Sequence, residues 1–196
     1  MSPRPRSLPD SEIMLATTRV IERLGPSRLT LAEVAKEVGL APATLVQRFG
    51  SKRGLLLAVA GQGASGVREQ FATIRARSRS PLRAIREVAR CMAGMAKSPE
   101  ALANHLAFLE MDLADRDFHR LALDHARKFR AEMRSLVEDA VRAGELRPCA
   151  TARLADAVQA VIGGSLLNWA VQRDGKAATR ILADLETLLA PYRAAK

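Results

Sequence analysis

From Asp10 to Leu189 the apolar side chains recur at three- and four-residue spacing, and the recurrence stops where glycine or proline stands. That spacing places them along one face of an α-helix. The alternation with a period of two that a half-buried strand needs is nowhere sustained. Composition agrees, because apolar residues make up 48% of the chain but aromatic residues only 4%, a balance suited to helices packed on helices. With 196 residues the chain is long enough to bury a core, in one compact unit or two small ones.

The first periodic segment carries Ile13, Thr17, Val20, Ile21 and Leu24, with Asp10 or Ser11 to cap it and Gly25-Pro26 to end it. Thr30 then precedes a short helix over residues 31–38, Glu33 stands where it completes a capping box, and Gly39 closes the segment. Pro42, harmless at a first helical position, opens a third helix that runs to Phe49 and stops at Gly50-Ser51. A fourth starts at Lys52 and reaches toward Arg77 only by passing Gly61, Gly63 and Gly66, each about 1 kcal/mol worse than alanine inside a helix. The cluster reads either as a hinge or as a place where another helix packs closely. Beyond residue 80, Pro81 and Pro99 open two helices, Phe118–Val141 supports a longer one, Thr151 caps the next, and a leucine-rich helix follows Gly175. The expected fold is all-α: an N-terminal three-helix helix-turn-helix domain and a C-terminal helical bundle, about nine helices in total. The expected division is a disordered basic arm over 1–9, a helix-turn-helix domain over 10–58 and a sensing and dimerisation domain over 59–196.

Charge is unevenly spread. Residues 1–100 hold 17 basic and 8 acidic groups, whereas residues 101–196 hold 14 and 13. The surplus of the first half points to a polyanion, nucleic acid or an anionic membrane surface. A basic membrane-surface helix needs a longer continuous cationic face than residues 42–49 supply. Two cysteines, Cys91 and Cys149, without a CxxC pair, disfavour a disulfide framework and a structural zinc site and suit reduced, buried thiols in the cytoplasm. No unbroken run of about 18 apolar residues and no apolar leader over residues 1–9 are present, so no membrane association is expected.

Residues 30–49 have the pattern of a helix-turn-helix. Ala35 is small where two helices cross, Gly39 can turn the chain, and Val34, Val38, Leu40 and Leu45 supply a shared core. Thr44, Gln47 and Arg48 are left facing outward, where Gln can pair with an adenine edge and Arg with a guanine edge in a major groove. Helix-glycine-helix arrangements also arise from packing alone.

The stretch Ile13–Val59 resembles the N-terminal domain of the TetR (tetracycline-repressor-like) family of bacterial transcriptional regulators. The matching residues are Ile13, Ala16, Gly25, Thr30, Ala35, Gly39-Leu40, Thr44-Leu45, Phe49-Gly50-Ser51-Lys52 and Leu55-Leu56. Residues 143–147, Gly163-Gly164, Trp169 and 189–192 look like the regulatory half of that family. The resemblance implies a homodimer, a repressor and a small-molecule pocket in the C-terminal helices, and the two-fold symmetry of such a dimer matches a palindromic double-stranded DNA. By position it implies phosphate contacts for Thr30, Thr44 and Lys52, and base-edge contacts for Pro42, Ala43, Gln47 and Arg48. Hydroxyls and an ammonium at helix N-termini suit phosphate, although Thr30 also serves as a plain helix cap. Two residues depart from the family: Val46 stands where tyrosine is usual and Ala41 where a capping serine is usual. Affinity is then expected to lean on Arg48, Lys52 and the basic arm, with steep salt dependence.

Val158, Val161, Ile162, Ser165, Leu166, Trp169, Ile181, Leu185 and Leu188 form more apolar face than one protomer easily covers, which fits a two-fold four-helix interface; the alternative is an intramolecular core. Met92, His105, Phe108, Met111, His125, Phe129, Asn168 and Trp169 have the makeup of an adaptable pocket for a small organic, largely apolar ligand. The spacing of His105, His119 and His125 does not pair them on a helix face, so no metal or cofactor is expected. No nucleophile elbow, phosphate-binding loop or dinucleotide fingerprint occurs, which disfavours an enzyme. The rival reading is a helical-bundle enzyme or small-molecule-binding protein with only non-specific DNA affinity.

Overall fold

The computed structural model describes residues 8–194. The expected basic arm over residues 1–9 lies outside the described residues except for Leu8 and Pro9. Nine α-helices and a closing 3-10 turn follow: α1 (Asp10–Arg28), α2 (Leu31–Val38), α3 (Pro42–Phe49), α4 (Lys52–Arg77), α5 (Pro81–Ala93), α6 (Pro99–Ala114), α7 (Arg116–Arg142), α8 (Thr151–Gln172), α9 (Ala177–Leu189) and the turn Ala190–Tyr192. An isolated antiparallel bridge, Leu146 to Arg193, is the extended pairing among the described residues. The all-α expectation and the helix count hold.

The chain forms two compact units. One comprises residues up to Gly63 together with Asn104–Ala122, and the other Ala64–Ala103 with Leu123–Lys196. The first unit has its own core of Ile13, Val20, Ile21, Leu29, Val34, Ala35, Leu45, Leu55, Leu56 and Phe118. Its α1 starts one residue earlier than a polar cap would allow. Neither Asp10 nor Ser11 caps it; Pro9, held extended at φ −66°, precedes the first turn, and its carbonyl accepts from Glu12 and Ile13. Proline presets that backbone angle without any side-chain acceptor.

The far end of α1 differs too. Gly25 stands at φ 76°, ψ 161°, a conformation essentially reserved for glycine, and a last turn over Pro26–Arg28 follows the break. Asn104 holds this corner by donating its side-chain amide to the Glu22 carbonyl at 2.8 Å, and a Cβ added at Gly25 would lie 2.7 Å from the Asn104 side-chain oxygen.

The second unit buries Phe71, Ile85, Val88, Met133, Leu136, Val158, Ile181 and Leu185 in one core, with Phe71 and Phe129 edge to face at 5.2 Å. Helix α9 packs against α8 and α5. The last turn returns to the α7–α8 connection, where Arg147 donates to the Tyr192 carbonyl at 2.7 Å, and Glu145 accepts from the Leu82 amide at 2.8 Å. Ser80 and Ser98 cap α5 and α6 through the amides of Arg83 and Ala101. Thr151 does not cap α8; it is the first helical residue, and its hydroxyl turns to Glu138.

Helix α4 runs without interruption through Gly61, Gly63 and Gly66. A Cβ at Gly63 or Gly66 would meet nothing within 4 Å, and one at Gly61 would meet only Leu121 at 4.0 Å. Close helix packing is therefore not what these glycines serve. Gly25→Ala and Gly63→Ala should consequently act in opposite directions on chemical denaturation. The first should lower stability by about 1–3 kcal/mol through backbone strain, and the second should raise it by up to about 1 kcal/mol through helix propensity.

Candidate nucleic-acid interface

Helix α2 begins at Thr30, whose side-chain oxygen accepts from the Glu33 amide at 3.1 Å. It ends at Gly39, left-handed at φ 68°, where the Leu40 amide returns to the Ala35 carbonyl at 2.9 Å. That turn sends the chain into α3, and Val34, Ala35 and Leu45 bury the contact between the two helices. Ala41 supplies no side-chain cap, as its methyl group dictates, and Pro42 takes the first helical position.

The opposite face of α3 is open. Pro42, Ala43, Val46 and Gln47 are exposed and Thr44 is half-buried, while Thr30 is exposed beside its cap bond. Lys52, the first residue of α4, donates its ammonium to the Ser27 carbonyl at 2.8 Å. An ammonium has three donors, so this bond leaves two for an anion.

Arg48 requires a correction. Its Nε donates to Asp10 at 2.7 Å and a terminal nitrogen donates to the Leu8 carbonyl at 2.5 Å, so its guanidinium ties α3 to the start of α1 and does not face outward. Other cations of this unit are likewise engaged. Arg19 and Arg23 both reach Glu37, at 3.2 and 3.3 Å, and their hydrogen bonds hold that carboxyl below its ordinary value. Arg53 bridges Asp115 and Asp117 at 2.8 and 2.9 Å and lies 5.7 Å from the centre of the Phe118 ring; it holds Asp115 low as well. These pairs brace α1 on α2 and α4 on the 115–118 segment.

The eight residues expected to line a pocket fall in both units. His105, Phe108 and Met111 belong to the first, where Phe108 meets Phe118 edge to face at 5.7 Å. Met92, His125, Phe129, Asn168 and Trp169 belong to the second. His125 stacks on Phe129 with 6.2 Å between ring centres, and burial pushes its pKa down. Trp169 is buried and donates its indole N–H to the Gly175 carbonyl at 3.1 Å, which fastens the end of α8, whereas Asn168 is exposed.

The expected dimer residues need a second correction. Val158, Ile162, Ser165, Leu166, Trp169, Ile181 and Leu185 are buried within the single chain, and Val161 and Leu188 are half-buried. Apart from Val161, they are buried in or packed against the intramolecular core that was the alternative, because α9 and α5 cover that face of α8. The face left open carries Gly163, Leu167 and Val171 at four-residue spacing, with Leu167 46% and Val171 83% exposed. The signal for it was present in the sequence, since three apolar or small residues one turn apart remain after the inner stripe is assigned.

Helix α8 is also long and apolar enough by length and composition to cross a membrane, but its inner stripe belongs to the core of this unit. Cys149 is half-buried and Cys91 exposed, contrary to the expectation that both are buried; both are free, and burial raises both thiols. No cluster of three or more His, Cys, Asp or Glu side chains able to hold a metal occurs among the described residues.

A short helix presented by a left-handed turn, with an exposed amide side chain and an available ammonium beside it, defines a helix-turn-helix DNA-binding protein. The comparisons with known proteins say which. The family described as bacterial regulatory proteins, tetR family, matches residues 13–59, and that described as BetI-type transcriptional repressor, C-terminal, matches residues 82–192, more than half of the chain. The chain belongs to the TetR family of bacterial regulatory proteins and is a DNA-binding transcriptional repressor.

No curated protein matches it. Among solved structures it is similar to a TetR transcription regulator from Haloarcula marismortui, at 14% identity with TM-score 0.77, covering 94% of this chain and 97% of that one. It is also similar to a transcriptional regulator from Saccharomonospora viridis in complex with choline, at 14% identity with TM-score 0.78, covering 95% and 98%. A third is the transcriptional regulator FadR from Bacillus subtilis in complex with stearoyl-CoA, at 15% identity with TM-score 0.70, covering 91% and 97%. At these identities the likeness is one of fold.

In the first unit, burial raises the Asp112 carboxyl to about 6, opposed by His119. The folded chain therefore keeps this proton over a range where the unfolded chain, with an ordinary value of 3.8, has released it. The contribution of this group to stability should fall as pH rises from about 4 to 6. Asp112→Asn should remove that fall, which thermal melts across this pH range will show.

Proposed function

We propose that the protein is a homodimeric repressor whose two α3 helices enter successive major grooves of a palindromic operator. The observation that carries this reading is the exposed Gln47 on an α3 whose other face is buried against α2. Gln47 reads an adenine edge, Pro42 and Ala43 make apolar base contacts, and Thr30, Thr44 and Lys52 hold phosphates. Arg48 is left out because Asp10 and the Leu8 carbonyl already occupy it. Residues 10–58 supply this surface and 59–196 the sensing and dimerisation functions.

The dimer forms through the outer face of α8, where Gly163 admits a close approach and Leu167 and Val171 supply apolar area. Two-fold symmetry of that contact matches the symmetry of a palindrome. A small organic effector modulates DNA binding. The structural neighbours bound to choline and to stearoyl-CoA are precedents for a small molecule on this fold. Gly61, Gly63 and Gly66 act as the compliant stretch through which the effector is felt. The protein works in the cytoplasm and carries out no catalysis.

Selection of duplexes from a random library by the purified chain, at low and moderate salt, tests the reading. An enriched inverted repeat at moderate salt supports it. Salt-sensitive binding without an enriched sequence overturns it in favour of non-specific affinity. On the selected duplex, Lys52→Gln should weaken binding to all sequences and reduce the salt slope by about 1. Gln47→Ala should instead relax preference at one base pair per half-site, by about 1–3 kcal/mol.

Leu167→Lys should convert the dimer to a folded monomer in sedimentation, because Leu167 projects from the outer face of α8 and is not part of the inner core. A dimer that survives this change would move the interface elsewhere.

A further inference from the structure

Residues 64–100 contain eight basic side chains against three acidic ones, so nearly half of the cations in the first hundred residues lie in the second unit and not in the helix-turn-helix. Several have partners. Arg75 pairs with Asp139, Arg86 with Glu186 at 2.5 Å and Arg90 with Glu87 at 3.1 Å. Arg77, Arg79 and Arg83 are different: among the described residues no carboxylate stands at ion-pair distance from any of them.

All three line one cleft of about 910 Å³ between α4 and α5. Arg77 ends α4, Arg79 lies in the connection and Arg83 is in the first turn of α5, so the three bracket a single tight corner. Gln70, Thr73 and Ser78 add hydrogen-bonding groups along the lining, and Ile74 adds the buried apolar one. The two acidic lining residues do not neutralise the corner. Glu87 is held by Arg90, and Glu69 lies eight residues before Arg77, about 12 Å back along the helix at 1.5 Å per residue.

We propose that this cleft binds a small organic polyanion, carrying two or more phosphate or carboxylate groups, through Arg77, Arg79 and Arg83. Guanidinium groups offer planar pairs of donors that match both anions. The volume falls within the range of small-molecule sites. The lining is too polar and charged for the apolar effector assigned above, so this is a second site, and it stands whether or not the DNA-binding reading does. Three like charges around one corner repel each other, and a bound anion relieves that repulsion.

The test is calorimetric titration of the full chain with inorganic pyrophosphate and, separately, citrate at constant ionic strength. Four proteins are compared: the unchanged chain, R77Q/R79Q/R83Q, K52Q, and R130Q/R134Q as a control on arginines that have carboxylate partners. Saturable binding of one anion per chain is expected in all except the triple variant, where it weakens at least tenfold, and R79E alone should weaken it measurably. All three cleft arginines are exposed, so the variants should keep the helical circular dichroism of the parent. Tighter pyrophosphate binding assigns the site to phosphates, and tighter citrate binding assigns it to carboxylates. Absence of saturable binding by either probe overturns the proposal, as does loss in K52Q in place of the triple variant, which places the anion on the DNA surface. A triple variant that loses affinity and salt slope for a random-sequence duplex overturns it too, by making the corner a contact to the DNA backbone.

Discussion

The contact of Val34 and Ala35 with Leu45 across the left-handed turn at Gly39 is what the DNA surface depends on. Helix α3 has eight residues, far fewer than an isolated helix needs to persist in water. It also starts without a side-chain cap, at a cost of about 1 kcal/mol. Full burial of an aliphatic side chain contributes about 1.5–3 kcal/mol, so the inward Leu45 outweighs the missing cap. One face of α3 is thereby consumed in holding it, and only the residues between Leu45 and its helical neighbours remain to meet DNA.

Electrostatics act on the same surface by subtraction. The basic surplus of the first hundred residues suggests a broad cationic face, yet Arg19, Arg23, Arg48 and Arg53 spend their charge on Glu37, Asp10, Asp115 and Asp117. Each pair is partly exposed and individually worth little. Together they cross-link α1 to α2, α1 to α3, and α4 to the 115–118 segment. The pairs fix these helices to one another and leave less unpaired positive charge on this unit than its basic surplus suggests.

The helices were legible because their evidence is local. Periodicity, Thr30 before Leu31, and glycine at 39 and 50 each act within one turn of the backbone. What was not legible depends on residues far apart. Arg48 is an outward cation by helical phase, and nothing near it in sequence announces a partner 38 residues earlier. The stripe from Val158 to Trp169 shows that a face of α8 is buried but not what buries it; α9 and α5 do, which leaves Leu167 and Val171 exposed on the opposite face. The supposed pocket residues share a chemistry, yet Phe108 and Phe129 serve the cores of different units.

A glycine in a helix interior is justified by close packing, by a special backbone angle, or by compliance. The first is absent at Gly63 and Gly66, where a Cβ would meet nothing, and the second is absent because the helix continues through both. Compliance remains. The boundary between the two compact units falls immediately after Gly63, and the Lys128 ammonium, itself bonded to Asp124 at 2.6 Å, donates to the Ala64 carbonyl at 3.2 Å. An interior helical carbonyl keeps a second lone pair after its own helical bond, and the Lys128 ammonium takes it. The three helix-weakening glycines and this side-chain bond thus fall within a few residues of the point where α4 passes from one unit to the other.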